Sequence, residues 1–232
     1  MIDVMDSDFV SFYKNAGFGP VNDTTCVPEA TARYYEYRLP QKLIEYWRCW
    51  GWAGFADGLF WLVNPAEYEE VVALWLAGSP FEHLDRYHVI ARSAFGEIFL
   101  WGENTADSLT IQTLFGQIFP SDRSDDIGDG SPHYMNALVQ EFISTLCRSN
   151  LDVFDEHQQP LFSRLQGKLG PLRSDEIYGR SPLIMDYASC YLEQFSRVRA
   201  VTHMAHLAKV GERHIMQDFG EVLKQSYIES LM

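Results

Sequence analysis

Four aspartates lie close together near the middle of the chain, and such a cluster of carboxylates could bind calcium. These residues are Asp122, Asp125, Asp126 and Asp129. An EF-hand loop needs oxygen ligands at its first, third and fifth positions, glycine at the sixth and glutamate at the twelfth. A loop that starts at Asp125 has Ile127 third and Asn136 twelfth, and one that starts at Asp122 has Ile127 sixth. Both registers fail, so we interpret the segment as a solvated loop, with a surface for a basic partner as the alternative.

A second candidate is a metal site formed by His203 and His206, which share a face if the region is helical. Arg199 lies on the same stripe, and a cation beside two candidate ligands argues against a bound metal. His214 lies further along the chain, about 12 Å from His206 along a helix, which is too far to complete the site. We interpret the histidines as part of a polar helix face and predict no metal or cofactor.

The glycine-rich stretch at residues 51–65, GWAGFADGLFWLVNP, does not match a phosphate-binding loop. Such a loop needs lysine and then serine or threonine after its last glycine, and a dinucleotide fingerprint needs a strand before the glycines. Here a predicted helix precedes the glycines and a predicted strand follows them. The G-x-S-x-G and H-E-x-x-H signatures are also missing from the sequence. We therefore predict a non-enzymatic protein with no catalytic residue.

The 232 residues carry a formal net charge of −14. An acidic surface repels nucleic acid and anionic membranes, so we predict no direct binding to either, and it attracts basic partners. The acidic N-terminal sequence lacks the apolar segment of a signal peptide, and no run of about 18 apolar residues occurs. The four cysteines are widely spaced, which is typical of reduced thiols. We therefore expect a cytoplasmic protein.

The first region of the chain shows patterns of helices followed by strands. A predicted helix ends at Gly51, and the apolar, aromatic run at residues 58–63 is typical of a buried strand. Asn64 and Pro65 mark the start of an amphipathic helix, because asparagine caps helices and proline is favoured in the first turn. The apolar stripe of this helix consists of Tyr68, Val71, Val72, Trp75 and Leu76.

Two predicted hairpins, at residues 87–103 and 108–119, give the first region an α+β fold with helices packed on antiparallel strands. Residues 121–132 are polar, acidic and rich in turn formers, so we interpret them as a domain boundary or a long loop. The predicted domains are therefore residues 1–120 and a smaller, mainly helical domain at residues 121–232. The second domain is predicted to contain helices near residues 132–148, 159–169 and 192–210, and a last amphipathic stretch with Ile215, Phe219, Val222 and Leu223.

Several runs in the first region resemble the GAD-like domain. They are FGP at residues 18–20, LPQKLIEYWRCWGWAGFADGLFWLVNPAEYEEVVALWL at 39–76 and YHVIARSAFGEIFLWGE at 87–103. Two later runs, DVFDEHQQPLFSRLQGKLGPLRSDEIYGRSPLIM at 152–185 and HMAHLAKV at 203–210, resemble the small domain that commonly follows it. This pairing is typical of bacterial immunity proteins encoded beside DNase effectors of type VI secretion systems. The resemblance implies a protein that binds and neutralises a cognate DNase toxin in the bacterial cytosol.

The sequence offers two sets of candidate toxin-binding residues for such a protein. The acidic cluster of Asp122, Asp125, Asp126 and Asp129 could meet the basic groove that a DNase presents to DNA. Trp52 and Phe55 lie in the predicted turn between a helix and a strand. Aromatics in turns more often pack over the edge of a core, but if these two are exposed they are good anchors for a partner.

Two other functions stay open as alternatives. One is a non-enzymatic interaction module with a non-toxin partner, and a neighbouring toxin gene would argue against it. The other is a hydrolase with an unrecognised carboxylate site. A deep pocket that holds a strongly perturbed acid would favour the hydrolase, because catalytic sites are where such pKa shifts cluster.

Overall fold

A computed structural model describes residues 6–180 and 190–217 of the chain. Its helices are α1 Ser7–Val10, α2 Glu29–Tyr35, α3 Gln41–Trp50, α4 Glu69–Leu76, α5 Ser124–Ile127, α6 Pro132–Thr145, α7 Arg148–Leu151, α8 Phe162–Leu169 and α9 Ala200–Val210. Its strands are β1 Thr24–Thr25, β2 Trp52–Phe55, β3 Phe60–Leu62, β4 Tyr87–Ser93, β5 Glu97–Gly102, β6 Ala106–Gln112, β7 Gln117–Pro120, β8 Glu176–Arg180, β9 Phe195–Arg199 and β10 His214–Ile215. No helix in these two stretches is long and apolar enough to cross a membrane.

An eight-stranded sheet forms the centre of the molecule, in the order β1-β2-β3-β4-β5-β6-β7-β10. The strands from β1 to β7 pair antiparallel, and the consecutive hairpins of β4 to β7 confirm the predicted meander. β10 pairs parallel with β7, so a segment from the end of the described chain extends the sheet of the first region. The α+β character predicted for the first region is therefore confirmed.

The predicted helix boundaries in the first region agree with local backbone chemistry. α3 ends at Gly51, which has a φ of 76° that glycine adopts without strain. The Asn64 side chain accepts a hydrogen bond from the amide of Ala66, and Pro65 begins a short 3₁₀ turn before α4. Most of the predicted stripe of α4 is buried, including Trp75. The difference from prediction is that the first turn is 3₁₀ rather than α-helical.

Helices from the second region pack against elements of the first. Phe142 of α6 lies 5.3 Å from Phe99 of β5 between ring centroids, and α9 packs along α4. The buried apolar residues of both regions belong to one continuous core. The division of the chain between residues 120 and 121 stays a prediction, but the described core extends across that position.

The second region contains more strand than its mainly helical prediction implied. The predicted helix at 192–210 is wrong for residues 195–199, which form β9 and pair with β8 from Glu176↔Arg199 to Arg180↔Phe195. The cause is non-local, because the partner strand that supplies the hydrogen bonds lies about 20 residues earlier in the chain. Ile215 lies in β10 rather than in a helix, and Phe219, Val222 and Leu223 lie outside the described residues.

Candidate partner-binding site

The acidic segment, defined as residues 121–131, connects β7 to α6 and contains the short helix α5. All four of its predicted binding aspartates are exposed: Asp122, Asp125, Asp126 and Asp129. Asp122 and Asp129 also accept hydrogen bonds of 2.9 Å from the backbone amides of Ser124 and Ser131. The amide and hydroxyl of Ser131 hold the pKa of Asp129 below its usual range, so its carboxylate stays charged near neutral pH. The segment is thus a structured turn that presents carboxylates to solvent.

Arg123 fixes the acidic segment to the rest of the protein. Its guanidinium donates hydrogen bonds of 2.8 and 2.9 Å to both carboxylate oxygens of Asp107 on β6. It also lies 3.3 Å from a carboxylate oxygen of Glu141 on α6 and 3.1 Å from one of Asp126. The hydrogen bonds to Asp107, and then the nearby acidic charges, raise the pKa of Arg123. Because three carboxylates surround this one cation, the surface around it keeps a net negative charge.

Phe55 is buried and does not offer a surface for a partner. Its exposed fraction is 0%, and its ring centroid lies 5.3 Å from that of Phe12 and 6.2 Å from that of Phe60. Phe55 is a candidate anchor only if it is exposed, so its assignment as a toxin-binding residue is corrected. The physical reason is that residues 52–55 form the strand β2 instead of a turn, and the pleat directs this side chain into the core.

Part of the Trp52 side chain can still contact a partner, because this residue is only half-buried at the start of β2. Its ring lies 6.1 Å from that of Trp47 in a T-shaped contact, and its indole N–H has no hydrogen-bond partner among the residues that the structure describes. β2 and β7 are separated by five strand spacings, about 24 Å across the sheet. The structure therefore does not bring Trp52 into the same small site as the acidic segment.

The glycine-rich stretch and the pair of histidines do not form binding sites for a phosphate or a metal among the described residues. Gly54 in the glycine-rich stretch has no room for a side chain, since an added Cβ would lie 2.8 Å from the Trp61 ring. His203 is half-buried, and its pKa is lowered by burial and by the nearby His206. Within residues 6–180 and 190–217, no three His, Cys, Asp or Glu side chains come together in a way that could hold a metal ion.

A cavity of about 370 Å³ is a feature that the sequence did not indicate. It lies between the ends of β4 to β7 and the segment formed by α7 and residues 152–158. The described lining residues are Ser93, Phe95, Glu97, Gln112, Leu114, Phe115, Phe119, Ser149, Asn150, Leu151, Asp152, Val153, Phe154 and Gln158. Burial raises the pKa of the Glu97 carboxyl to about 7, although a hydrogen bond from Gln112 opposes the shift. Glu97 is a charged residue within the otherwise apolar run at 95–101, and this is the sequence signal that could have pointed to the site.

Comparison with known protein families identifies a domain in the first region of the chain. The model of the GAD-like domain matches residues 7–115. The crystal structure of Atu4351 from Agrobacterium tumefaciens is similar to this chain over 91% of each chain, with a TM-score of 0.76 and 23% sequence identity. This likeness shows a shared fold that includes much of the second region. No protein of curated function matches the chain. The chain therefore contains a GAD-like domain, formed by residues 7–115.

Proposed function

We propose that this protein is a cytoplasmic immunity protein, which binds and neutralises a cognate DNase toxin delivered by a type VI secretion system. The observation that carries the proposal is the exposed acidic segment, held against β6 and α6 by Arg123. It occurs in a chain that contains a GAD-like domain and has a net charge of −14. The sequence resemblance described above supplies the link to toxin immunity.

Charge complementarity explains how such a protein would act. A DNase binds the phosphate backbone through a basic groove, and an acidic surface can occupy the same groove. Complementary charges also steer the encounter and raise the association rate, by an amount that falls as ionic strength rises. The immunity protein would thereby compete with DNA for the toxin, without any catalytic step, cofactor or direct contact with nucleic acid or membrane.

Co-purification from the native host, followed by identification of the bound protein, tests this function. We expect the bound protein to be a basic nuclease encoded by a neighbouring gene, and the purified complex to have no DNase activity until its subunits are separated. Recovery of a partner that has no nuclease activity would favour the alternative of a non-toxin interaction module. An active nuclease within the intact complex would contradict neutralisation.

A second candidate function, hydrolysis by carboxylates, is favoured by one observation. Glu97 has a pKa of about 7 in a cavity that also contains Asp152, and a carboxyl with such a pKa can act as a general base. The carboxylate of Asp152 is engaged by backbone amides, including that of Phe162 at 2.9 Å. A panel of ester, amide and phosphate substrates tests this function, since turnover abolished by Glu97→Gln would establish it.

A further inference from the structure

The cavity beside Glu97 has walls suited to an apolar group. Four phenylalanines line it, from the β4–β5 turn, the β6–β7 turn, β7 and the segment after α7: Phe95, Phe115, Phe119 and Phe154. Phe154 is 37% exposed, so one of these rings lies at the solvent boundary. A volume of about 370 Å³ falls within the range of small-molecule pockets. The cavity therefore has room for an aromatic or aliphatic group.

The polar groups of the cavity are one-sided in charge. Glu97 and Asp152 contribute carboxyl groups, and no Lys, Arg or His occurs among the described lining residues. The side-chain amide of Gln112 donates a hydrogen bond of 3.0 Å to Oε1 of Glu97, which orients the carboxyl group. Oδ1 of Asp152 accepts hydrogen bonds from three backbone amides, those of Val153, Leu161 and Phe162. Both carboxyl groups are thus held in place by neighbouring groups of the protein.

We propose that this cavity binds an organic cation, an ammonium or guanidinium group carried on an apolar stem, with Glu97 as its counter-ion. The phenylalanine walls contact the stem and the carboxylates receive the N–H donors. Charge-assisted hydrogen bonds to a partly buried carboxylate are stronger than those between neutral groups. A neutral or anionic ligand of the same shape lacks this gain and leaves the Glu97 carboxyl without a cation.

Protonation of Glu97 should then be linked to binding. Asp152 is the other titratable group in the described lining, and burial raises its pKa while backbone amides and the Arg148 charge oppose the rise. Polar residues that do not titrate line the cavity from β4, β6, α7 and the following segment: Ser93, Gln112, Ser149, Asn150 and Gln158. Because Glu97 has a pKa of about 7, cation affinity should increase as pH rises from 6 to 8.

Titration of the whole protein with benzylamine, followed by NMR chemical shifts, tests the proposal. A ligand of this size should bind at pH 8 with a Kd of about 1 mM. Affinity should be about tenfold weaker at pH 6, where most of the Glu97 carboxyl is protonated. The uncharged analogue benzyl alcohol should bind at least about tenfold more weakly at pH 8, since it lacks the charge-assisted bond.

Glu97→Gln is the decisive variant, because glutamine keeps the size of the side chain and can still pair with Gln112. We expect it to bind benzylamine about tenfold more weakly at pH 8 and to lose the pH dependence. Glu103→Gln is the matched control, since Glu103 is also partly buried but does not line the cavity. It should bind benzylamine as the wild type does.

A blocked Gly-Lys-Gly tripeptide distinguishes the two sources of such a cation. Tighter binding of benzylamine assigns the cavity to a free amine, and tighter binding of the tripeptide assigns it to a side chain of a protein partner. Equal binding of benzylamine and benzyl alcohol by the wild type would overturn the proposal. So would a wild-type affinity that does not change between pH 6 and pH 8, a result that does not depend on how the variants fold.

Discussion

The indole N–H of Trp75 donates a hydrogen bond of 3.1 Å to the backbone carbonyl oxygen of Met204, 129 positions later in the chain. Trp75 lies on α4 of the GAD-like domain, and Met204 lies on α9 beyond it. Both side chains are buried, with exposed fractions of 1% and 0%. This contact therefore connects the two regions of the chain within a shared core.

Replacement of Trp75 by alanine should destabilise the whole protein. We expect the free energy of unfolding to fall by about 3–5 kcal/mol, because the change removes a large buried aromatic side chain and leaves a cavity. Chemical denaturation monitored by circular dichroism measures the loss. A change below about 1 kcal/mol would show that α4 does not pack as described.

Trp75→Phe is the matched control for this variant. Phenylalanine keeps much of the apolar area but cannot donate to the Met204 carbonyl, so it separates the hydrogen bond from the packing. We expect a smaller loss, of about 1–3 kcal/mol, since the buried carbonyl loses a donor. Equal losses for the two variants would mean that the hydrogen bond, rather than the ring, accounts for the stability.

The acidic segment should determine the rate at which a basic toxin associates. Changing all four aspartates to asparagine should lower the association rate and reduce its dependence on salt, while the melting temperature changes little. Peripheral charges act mainly on the encounter of two proteins, and added salt screens that effect. The variant carries the substitutions at Asp122, Asp125, Asp126 and Asp129. Stopped-flow binding at two salt concentrations provides the measurement.

A second variant controls for net charge. It changes four exposed glutamates near α4 to glutamine and leaves the acidic segment intact. These are Glu67, Glu69, Glu70 and Glu82. Both variants change the formal charge by the same amount, so the difference between them isolates the position of the charge. An association rate that falls equally in both variants would assign the effect to overall charge and exclude a specific role for the acidic segment.

Trp52 and Phe55 should respond differently to truncation, although they belong to the same strand. Phe55→Ala should lower the free energy of unfolding by about 3–5 kcal/mol, because the ring is fully enclosed by other aromatics. Trp52→Ala should increase the dissociation rate of the toxin if the half-buried indole contacts it. Comparison of melting curves with dissociation rates separates the two effects. A purely structural role for Trp52 predicts lower stability with an unchanged dissociation rate.

The stability of the protein should depend on the ionisation of Glu97. The pKa of this carboxyl is about 7 in the folded state and 4.5 in its usual environment, so the folded state binds the proton more tightly. Stability should therefore fall as pH rises from about 4.5 to 7 and stay constant above that range. Glu97→Gln should be more stable than the wild type at pH 8 by about 3 kcal/mol, and this advantage should vanish near pH 4.

Denaturant titrations of both proteins at pH 4 and pH 8 measure this difference. Comparison with the wild type at each pH removes the contribution of the other carboxyl groups, which both proteins share. An identical free-energy change with pH in the two proteins would show that Glu97 titrates as it would in solvent.

Local sequence was sufficient to predict the elements whose signals lie within a few residues. The end of α3 at Gly51 and the cap at Asn64 depend on backbone preferences of single residues, and the stripe that contains Trp75 follows helical periodicity. The acidic segment was predicted because four carboxylates are visible in the sequence. Because this segment is polar and acidic, its exposure to solvent could be predicted from composition alone.

Features that depend on distant partners could not be predicted in the same way. Arg92 is fully buried and donates a hydrogen bond of 2.8 Å to the carbonyl oxygen of Ser174, a pairing that no local pattern indicates. The cavity of Glu97 forms only where α7 and the segment after it lie against the sheet. The sequence predicts a turn at Phe55 because the glycines on either side of it obscure the two-residue period of β2.

The parallel strand β10 also covers the edge that β7 would otherwise present to other copies of the protein. Without it, β7 would be an open edge whose free amides and carbonyls could template intermolecular β-structure. β10 covers that edge with hydrogen bonds of 2.8 Å from His214 to Gly116 and from Met216 to Ile118. Arg213, the residue before β10, donates hydrogen bonds to carbonyl oxygens at the end of α4, including that of Ala77 at 2.9 Å, and these bonds hold the start of β10 in place. We therefore expect resistance to edge-to-edge aggregation to depend on a few residues far from the GAD-like domain in sequence.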